Sequence, residues 1–440
     1  MTIAVLTAVF LILFFLRVPI AHSIGIASVA AMLISVPFDP TMITMAQRLG
    51  ASVTTFTLLA IPFFIFAGKL LATGGVARRL VDFALVTVGF LPGGLAVTNV
   101  LANQLFGAIS GSAAATTSGI GGFMIPAMAK ENYPNPFSAA LTATAATTGL
   151  LVPPSNVFIV YATVTSGVSI SALFVAGYLP AFSLSLSLML IAVFVSQYKG
   201  YGRRSAFPGF KIFLTKFIGI FPAFFLIVLV MGGIVSGFFT ASEASSIAVV
   251  YAFILSVFVY REVKIKQIPN LLLETASTTG MVFFLIGTSV ALSWVFSFTN
   301  VPQMIEIFIK SVSANPYIIL LLINVILLLI GTFMDITPGV LIFTPIFLPI
   351  MTEIAPAFGI TPDEMKYHFG VIIVFNLCLG LVSPPAGTTL FIACSIAKIK
   401  LSAINRPLVP IFAAGTIALF IVSYFPQISL WLPRYLGLLK

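Results

Sequence analysis

The chain is 440 residues long, 60% apolar and only 7% charged, with a mean hydropathy of +1.18. Soluble domains carry about 25% charged residues, so a soluble enzyme or nucleic-acid-binding module is excluded and a single polytopic unit in a lipid bilayer is predicted. The net charge of +10 sits in short loops, as the positive-inside rule expects, and implies no nucleic acid.

Cys378 and Cys394 both lie in apolar segments and suggest no disulfide framework. His22 and His368 are far apart and match no ligand spacing. No cofactor, transition metal or catalytic constellation is implied.

About ten spans are predicted in chain order: 2–17, 19–36, 51–71, 138–165, 172–196, 217–237, 240–260, 272–297, 370–397 and 408–426. The first is short for a full crossing, and a kink at Pro19 would let it continue into the second. Two further apolar stretches, 93–129 and 316–352, each fit two half-crossings around a polar turn. The turns read "AISGSAAATTSG" from Ala108 and "GTFMDITPG" from Gly331. Such a turn at membrane depth must be buried in protein or line a cavity, so both stretches are read as re-entrant hairpins. Amphipathic arms precede them at 73–90, with Arg78 and Arg79, and at 301–314, with Glu306 and Lys310.

The basic loop of Lys199, Arg203, Arg204, Lys211 and Lys216 is placed in the cytoplasm. Counting spans from it brings Arg261, Lys264 and Lys266 to the same side, together with Lys130, Arg78 and Arg79, and Lys398, Lys400 and Arg406. Both termini then fall outside. The layout repeats: two spans, a third span, an arm, a hairpin, a Pro-Pro span and a last span occur twice, in opposite orientation. "MIPAM" at Met124 resembles "FLPIM" at Phe347, and "SAL" at Ser171 matches "SAI" at Ser402. Inverted repeats with broken helices mark secondary transporters.

"LLVPPSNVF" from Leu150 and "GLVSPPAGTTLF" from Gly380 put two adjacent prolines in matching places of the two repeats. Proline frees a carbonyl one turn earlier and exposes donors just after. In lipid those groups cost several kcal/mol each, whereas around an ion they become ligands, and the matching of the two breaks favours such a site over a structural kink. Ser155 and Asn156 follow the first break, and Gly387, Thr388 and Thr389 the second, which suits a weakly held Na+. At the first tip Ser110 and Ser112 are expected to line the cavity, Gly111 offers free backbone, and alanines and glycines let the hairpin pack closely. Asp335 in the second tip either binds a cation or caps the following half-helix. Asn376, two turns before the second break, either faces the substrate or makes an interhelical hydrogen bond.

"LLAIPFFIFAGKLLATGGVARRLVDFA" from Leu58, "FGAISGSAAATTSGIGGFMIPAM" from Phe106, "NPFSAALTATAATTGLLVPPSN" from Asn135 and "NLCLGLVSPPAGTTLF" from Asn376 resemble the large membrane subunit of the tripartite ATP-independent periplasmic (TRAP) transporters over nearly the whole chain. The resemblance implies an all-α polytopic membrane protein of the inverted-repeat elevator type in the bacterial inner membrane. It also implies Na+-coupled import of an organic acid, a C4-dicarboxylate or sialic acid among the options, delivered by a periplasmic binding protein. A small four-helix membrane subunit would be a separate chain.

By the same resemblance, Ser110 to Ser112 with Pro153, Ser155 and Asn156 form one ion site. Gly331, Thr332 and Asp335 with Ser383, Gly387 and Thr388 form the other. The substrate lies between them, near Ser112, Thr116, Pro154, Asn156, Thr337, Pro338, Asn376, Pro385 and Thr389. The implied units are scaffold 1–90, transport 91–170, scaffold 171–314, transport 315–400 and a final scaffold helix and tail at 401–440. Two departures stand out. "AAATTSGIG" follows the first tip where many relatives carry an acidic residue, and the second break reads Ser-Pro-Pro rather than Thr-Pro-Pro. The rival reading is a stand-alone Na+/dicarboxylate symporter of similar fold that needs no binding protein.

Overall fold

A computed structural model describes residues 1–202, 206–384 and 387–439. Arg203 and Arg204 of the basic loop and Pro385 of the second break therefore lie outside the described residues. Among these, the chain forms twenty α-helices. Among the described residues, seven continuous helical segments, counted with their adjoining 3-10 or π turns, are long and apolar enough to cross a membrane.

The first helices are α1 (Thr2–Phe15), α2 (Ile20–Met32) and α3 (Phe38–Ser52). The kinked continuation expected at Pro19 is not what forms. Arg17 turns the chain with φ 61°, and α1 folds back along α2, with Thr2 Oγ1 3.0 Å from Ser35 Oγ. A 14-residue helix reaches only about 21 Å, so neither crosses a ~30 Å hydrocarbon core alone. α3 was not expected: Asp39, Pro40, Gln47 and Arg48 interrupt its apolar pattern, and only Thr41 and Met45 are buried.

Next come α4 (Ala60–Thr73), the first arm α5 (Val76–Val88), and α6 (Gly94–Ser110) with α7 (Ala113–Lys130), which pair as a helical hairpin. The predicted span 138–165 is two helices, α8 (Asn135–Thr148) and α9 (Asn156–Val164), before the long α10 (Ile170–Lys199). The second half runs α11 (Phe210–Val235), α12 (Ala241–Ile254), α13 (Ile268–Phe298) and the second arm α14 (Val301–Val312). It continues with the hairpin α15 (Pro316–Gly331) and α16 (Ile336–Ile354), then α17 (Pro362–Gly380), α18 (Thr388–Ala397), α19 (Asn405–Tyr424) and α20 (Gln427–Tyr435). The succession from α4 to α10 thus recurs from α13 to α19.

The centre is built from α8 and the body of α17. Every residue of α8 from Phe137 to Thr148 is buried, as is every residue of α17 from Met365 except Lys366. Small side chains let neighbours approach α8, and its hydroxyls return to its own carbonyls: Thr142 donates to Ser138 and Thr144 to Ala140. The second halves of the broken helices are exchanged. α18 packs on α7 and α8, while α9 packs on α16 and α17.

Both hairpins are pinned to their broken helices in the same two ways. Buried Asn99 of α6 donates to Thr142 of α8 at 2.7 Å, and Asn376 of α17 donates to Asn324 of α15 at 2.8 Å. Closer to the tips, backbone meets backbone. A Cβ on Gly107 would lie 2.7 Å from the Gly149 Cα, and one on Gly331 would lie 2.9 Å from the Gly380 Cα.

Around this centre the arms are tied by charges. Arg79 of α5 pairs with Glu262 at 2.8 Å and lies over the Tyr260 ring, and Asp82 meets Lys216 of α11 at 2.7 Å. Lys310 of α14 reaches Glu306 on its own helix and Glu353 of α16.

Candidate functional site

A cavity of about 310 Å3 lies where the two hairpin tips, the two helix breaks, α4 and α13 meet. Local chemistry shapes each corner. At the first tip α6 ends in Gly111, whose φ of 62° suits glycine. Ser112 then caps α7, its Oγ accepting from the Ala115 amide at 3.3 Å. Ser110 Oγ lies 2.9 Å from Thr116 Oγ1, which closes the turn from inside. At the second tip Thr332 returns its hydroxyl to Leu329, and Asp335 caps α16 by accepting from the Ile336 amide at 2.8 Å. The carboxylate remains open to the cavity.

The breaks are stitched in a matching way. Ser155 donates to the Leu150 carbonyl at 2.6 Å, and Thr389 donates to the Leu381 carbonyl at 3.0 Å. Each bond spans its break and satisfies a carbonyl that the lost helical turn released. Asn156 opens α9 and faces the cavity, and its buried Oδ1 has no hydrogen-bond partner.

One electrostatic feature dominates. The first turns of α7, α9, α16 and α18 all line the cavity, through Ala113, Asn156, Ile336 and Thr388 among others. Each helix N-terminus carries roughly +0.5 of an elementary charge and unpaired amides. Four converging N-termini form an anion-attracting centre, which Asp335 partly offsets. On the opposite wall Gly68 of α4 packs against the first tip, where a Cβ would sit 2.9 Å from the Ser110 carbonyl. Beside it Lys69 lines the cavity, its Nζ 3.5 Å from both Glu274 and Thr278 of α13.

The cavity brings together Ser110, Gly111, Ser112, Asn156, Asp335, Thr337 and Thr388. Thr116, Ser155 and Thr389 stand directly behind it in the bonds just described. Gly331 lies in the backbone crossing with Gly380, Pro338 is buried inside α16, and Thr332 is bonded to its own helix. Gly387 immediately precedes α18 as its N-cap, and Pro153 lies within the first break, joined to Pro154 by a cis peptide bond. Pro154 and Ser383 line separate hollows. Asn376 is fully buried away from the cavity in its bond to Asn324, the interhelical alternative. Lys69 and Thr278 were not singled out from the sequence. The signal for Lys69 was present: a cation interrupts the apolar run "FFIFAGKLLA".

Comparison with known proteins fits this geometry. Residues 7–428 match the family described as "Tripartite ATP-independent periplasmic transporter, DctM component". The chain is 46% identical to the uncharacterized protein YgiK of Salmonella typhimurium, over 98% of this chain and 97% of that one. It is 37% identical to the C4-dicarboxylate TRAP transporter large permease protein DctM of Pseudomonas aeruginosa, over 94% and 95%. It is 35% identical to the isethionate TRAP transporter permease protein DctMQ of Oleidesulfovibrio alaskensis, over 97% of this chain and 66% of that one. Among solved structures, the YdaH transporter of Alcanivorax borkumensis superposes with a TM-score of 0.59 at 13% identity, over 91% and 90% of the two chains, a likeness of fold. The chain is no enzyme: it is a multi-pass membrane protein and belongs to the DctM family, the large permease component of TRAP transporters.

Proposed function

We propose that this permease imports an organic acid together with Na+, receiving it from a periplasmic binding protein and working beside a small four-helix subunit. The observation that carries this reading is the convergence of four helix N-termini on one cavity, which suits a carboxylate. An anion entering a negative-inside cell works against about 2.3 kcal/mol per charge at 100 mV. Cotransported cations offset that cost.

The first Na+ site is assigned to Ser110, Gly111, Ser112, Pro153, Ser155 and Asn156, and the second to Gly331, Thr332, Asp335, Ser383, Gly387 and Thr388. The unpartnered Asn156 Oδ1 supports the first, since a buried acceptor without a donor is costly unless a ligand meets it. The open carboxylate of Asp335 supports the second.

In this reading the two hairpins and two broken helices travel as one body against a scaffold of α1–α5, α10–α14 and α19. The halves of the chain have inverted topology, the hairpins re-enter the bilayer and both termini lie in the periplasm. The paired asparagine bonds and glycine crossings support such a body, because they lock each hairpin to its broken helix. The test is uptake into proteoliposomes holding the permease, its small subunit and its binding protein. Accumulation of the binding protein's ligand is expected with an inward Na+ gradient and lost without one. Uptake that persists in Na+-free buffer overturns the coupling, and uptake that needs no binding protein favours a stand-alone symporter.

A further inference from the structure

We infer that Lys69 is the cavity's reader of negative charge, with Glu274 holding its place until a substrate carboxylate or sulfonate arrives. This rests on the organic-acid reading above and adds the residue that recognises the acid. Lys69 is the sole cation among the described residues lining the cavity, facing a space whose other walls carry the four N-termini.

A lysine near a helix end often snorkels to bulk water. This one does not: its side chain is 25% exposed, and its ammonium is aimed at Thr278 on the cavity wall. Both of its contacts are 3.5 Å long, well beyond the usual 2.9 Å or so for such hydrogen bonds. Glu274 is 64% exposed and the contact is long, and exposed ion pairs of this kind contribute little. An anion inside the cavity meets the same ammonium away from bulk solvent and beside the N-terminal amides, where attraction is stronger. The N-terminal amides give an anion in the cavity partners that Glu274 lacks, which favours exchange of Glu274 for substrate. Lys69 belongs to α4, on the scaffold side, while the N-termini belong to the moving body. The contact then forms in the arrangement seen here and breaks when that body shifts.

The two carboxylates compete for one ammonium, so their substitutions act in opposite directions. Uptake of succinate, isethionate and N-acetylneuraminate by the complete system identifies the working anion. For that anion, Lys69→Met is expected to raise KM at least tenfold with a smaller change in kcat, and Glu274→Gln to lower KM by twofold or more. A rise in KM for both variants makes the pair structural and overturns the inference, as does a KM for Lys69→Met within twofold of the parent. Purified protein in Na+ gives a second readout: the thermal stabilisation by the same three anions is expected to vanish in Lys69→Met and to increase in Glu274→Gln. This shift decides the role of Lys69 even if vesicle uptake proves independent of Na+, in which case the coupling fails and the anion reader does not.

Discussion

Asp335 carries two demands on one side chain. One oxygen starts α16 by accepting the Ile336 amide, and the carboxylate faces the cavity. Asparagine caps a helix about as well as aspartate but brings no charge. Asp335→Asn is therefore expected to keep the melting temperature within about 2 °C. The Na+ concentration for half-maximal uptake is expected to rise about tenfold, the loss of about 1.4 kcal/mol. An unchanged Na+ dependence would leave Asp335 a cap alone. Asp335, Asn156 and the serines of the first tip were legible in the sequence because each is polar within an apolar run. Asn376 met the same description, yet it is buried against Asn324. Sequence supplies polarity and register, whereas the partner across a helix interface appears only once α15 and α17 are packed.

At the scale of elements, the Pro-Pro motifs told where α8 and α17 end, because proline forbids the next turn. They did not tell what holds the broken ends. Gly149 and Gly380 do this, each four residues before its first proline and each in backbone contact with a hairpin glycine. A methyl group at either position meets main chain, which cannot rotate away. Overpacking of this kind costs about 1–3 kcal/mol. Gly149→Ala and Gly380→Ala are each expected to lower thermal stability in detergent by that order. Two variants that melt like the parent would show that the crossings are not tight. Neither glycine stood out, since α8 and its neighbours are rich in small residues and the crossing is a tertiary fact. α3 and α20 were missed for a different reason: both are short and mixed in polarity, so neither produces an apolar run.

The whole molecule is closed by its last helix. Arg434 of α20 donates to Glu364 at 2.6 Å, and Glu364 also forms the capping box with Thr361 that starts α17. Behind this pair, His368 lies 2.7 Å from Ser429 of α20. The Arg434 guanidinium, helped by the Thr361 amide, holds the Glu364 carboxyl below the usual carboxylate range. A carboxyl depressed in the folded state adds stability that is present above its unfolded value of about 4.3 and lost as pH falls through its folded value. Glu364→Gln is expected to lower the melting temperature by about 1–2 °C at pH 7, and the gap from the parent to close below about pH 4. A gap that stays constant with pH would assign the effect to packing.

The exchanged half-helices set an order for making the protein. α9 emerges from the ribosome long before α16 and α17, two of the helices it rests on, and α18 is needed to cover α7 and α8. Synthesis runs at about 5–20 residues per second, so α9, already able to meet α4 and α10, waits many seconds for α16 and α17. Neither half can be finished alone, and membrane insertion of the first half must leave it loose enough to admit the second. A chain that stops between α10 and α11 leaves α7, α8 and α9 without part of the packing that the finished molecule gives them.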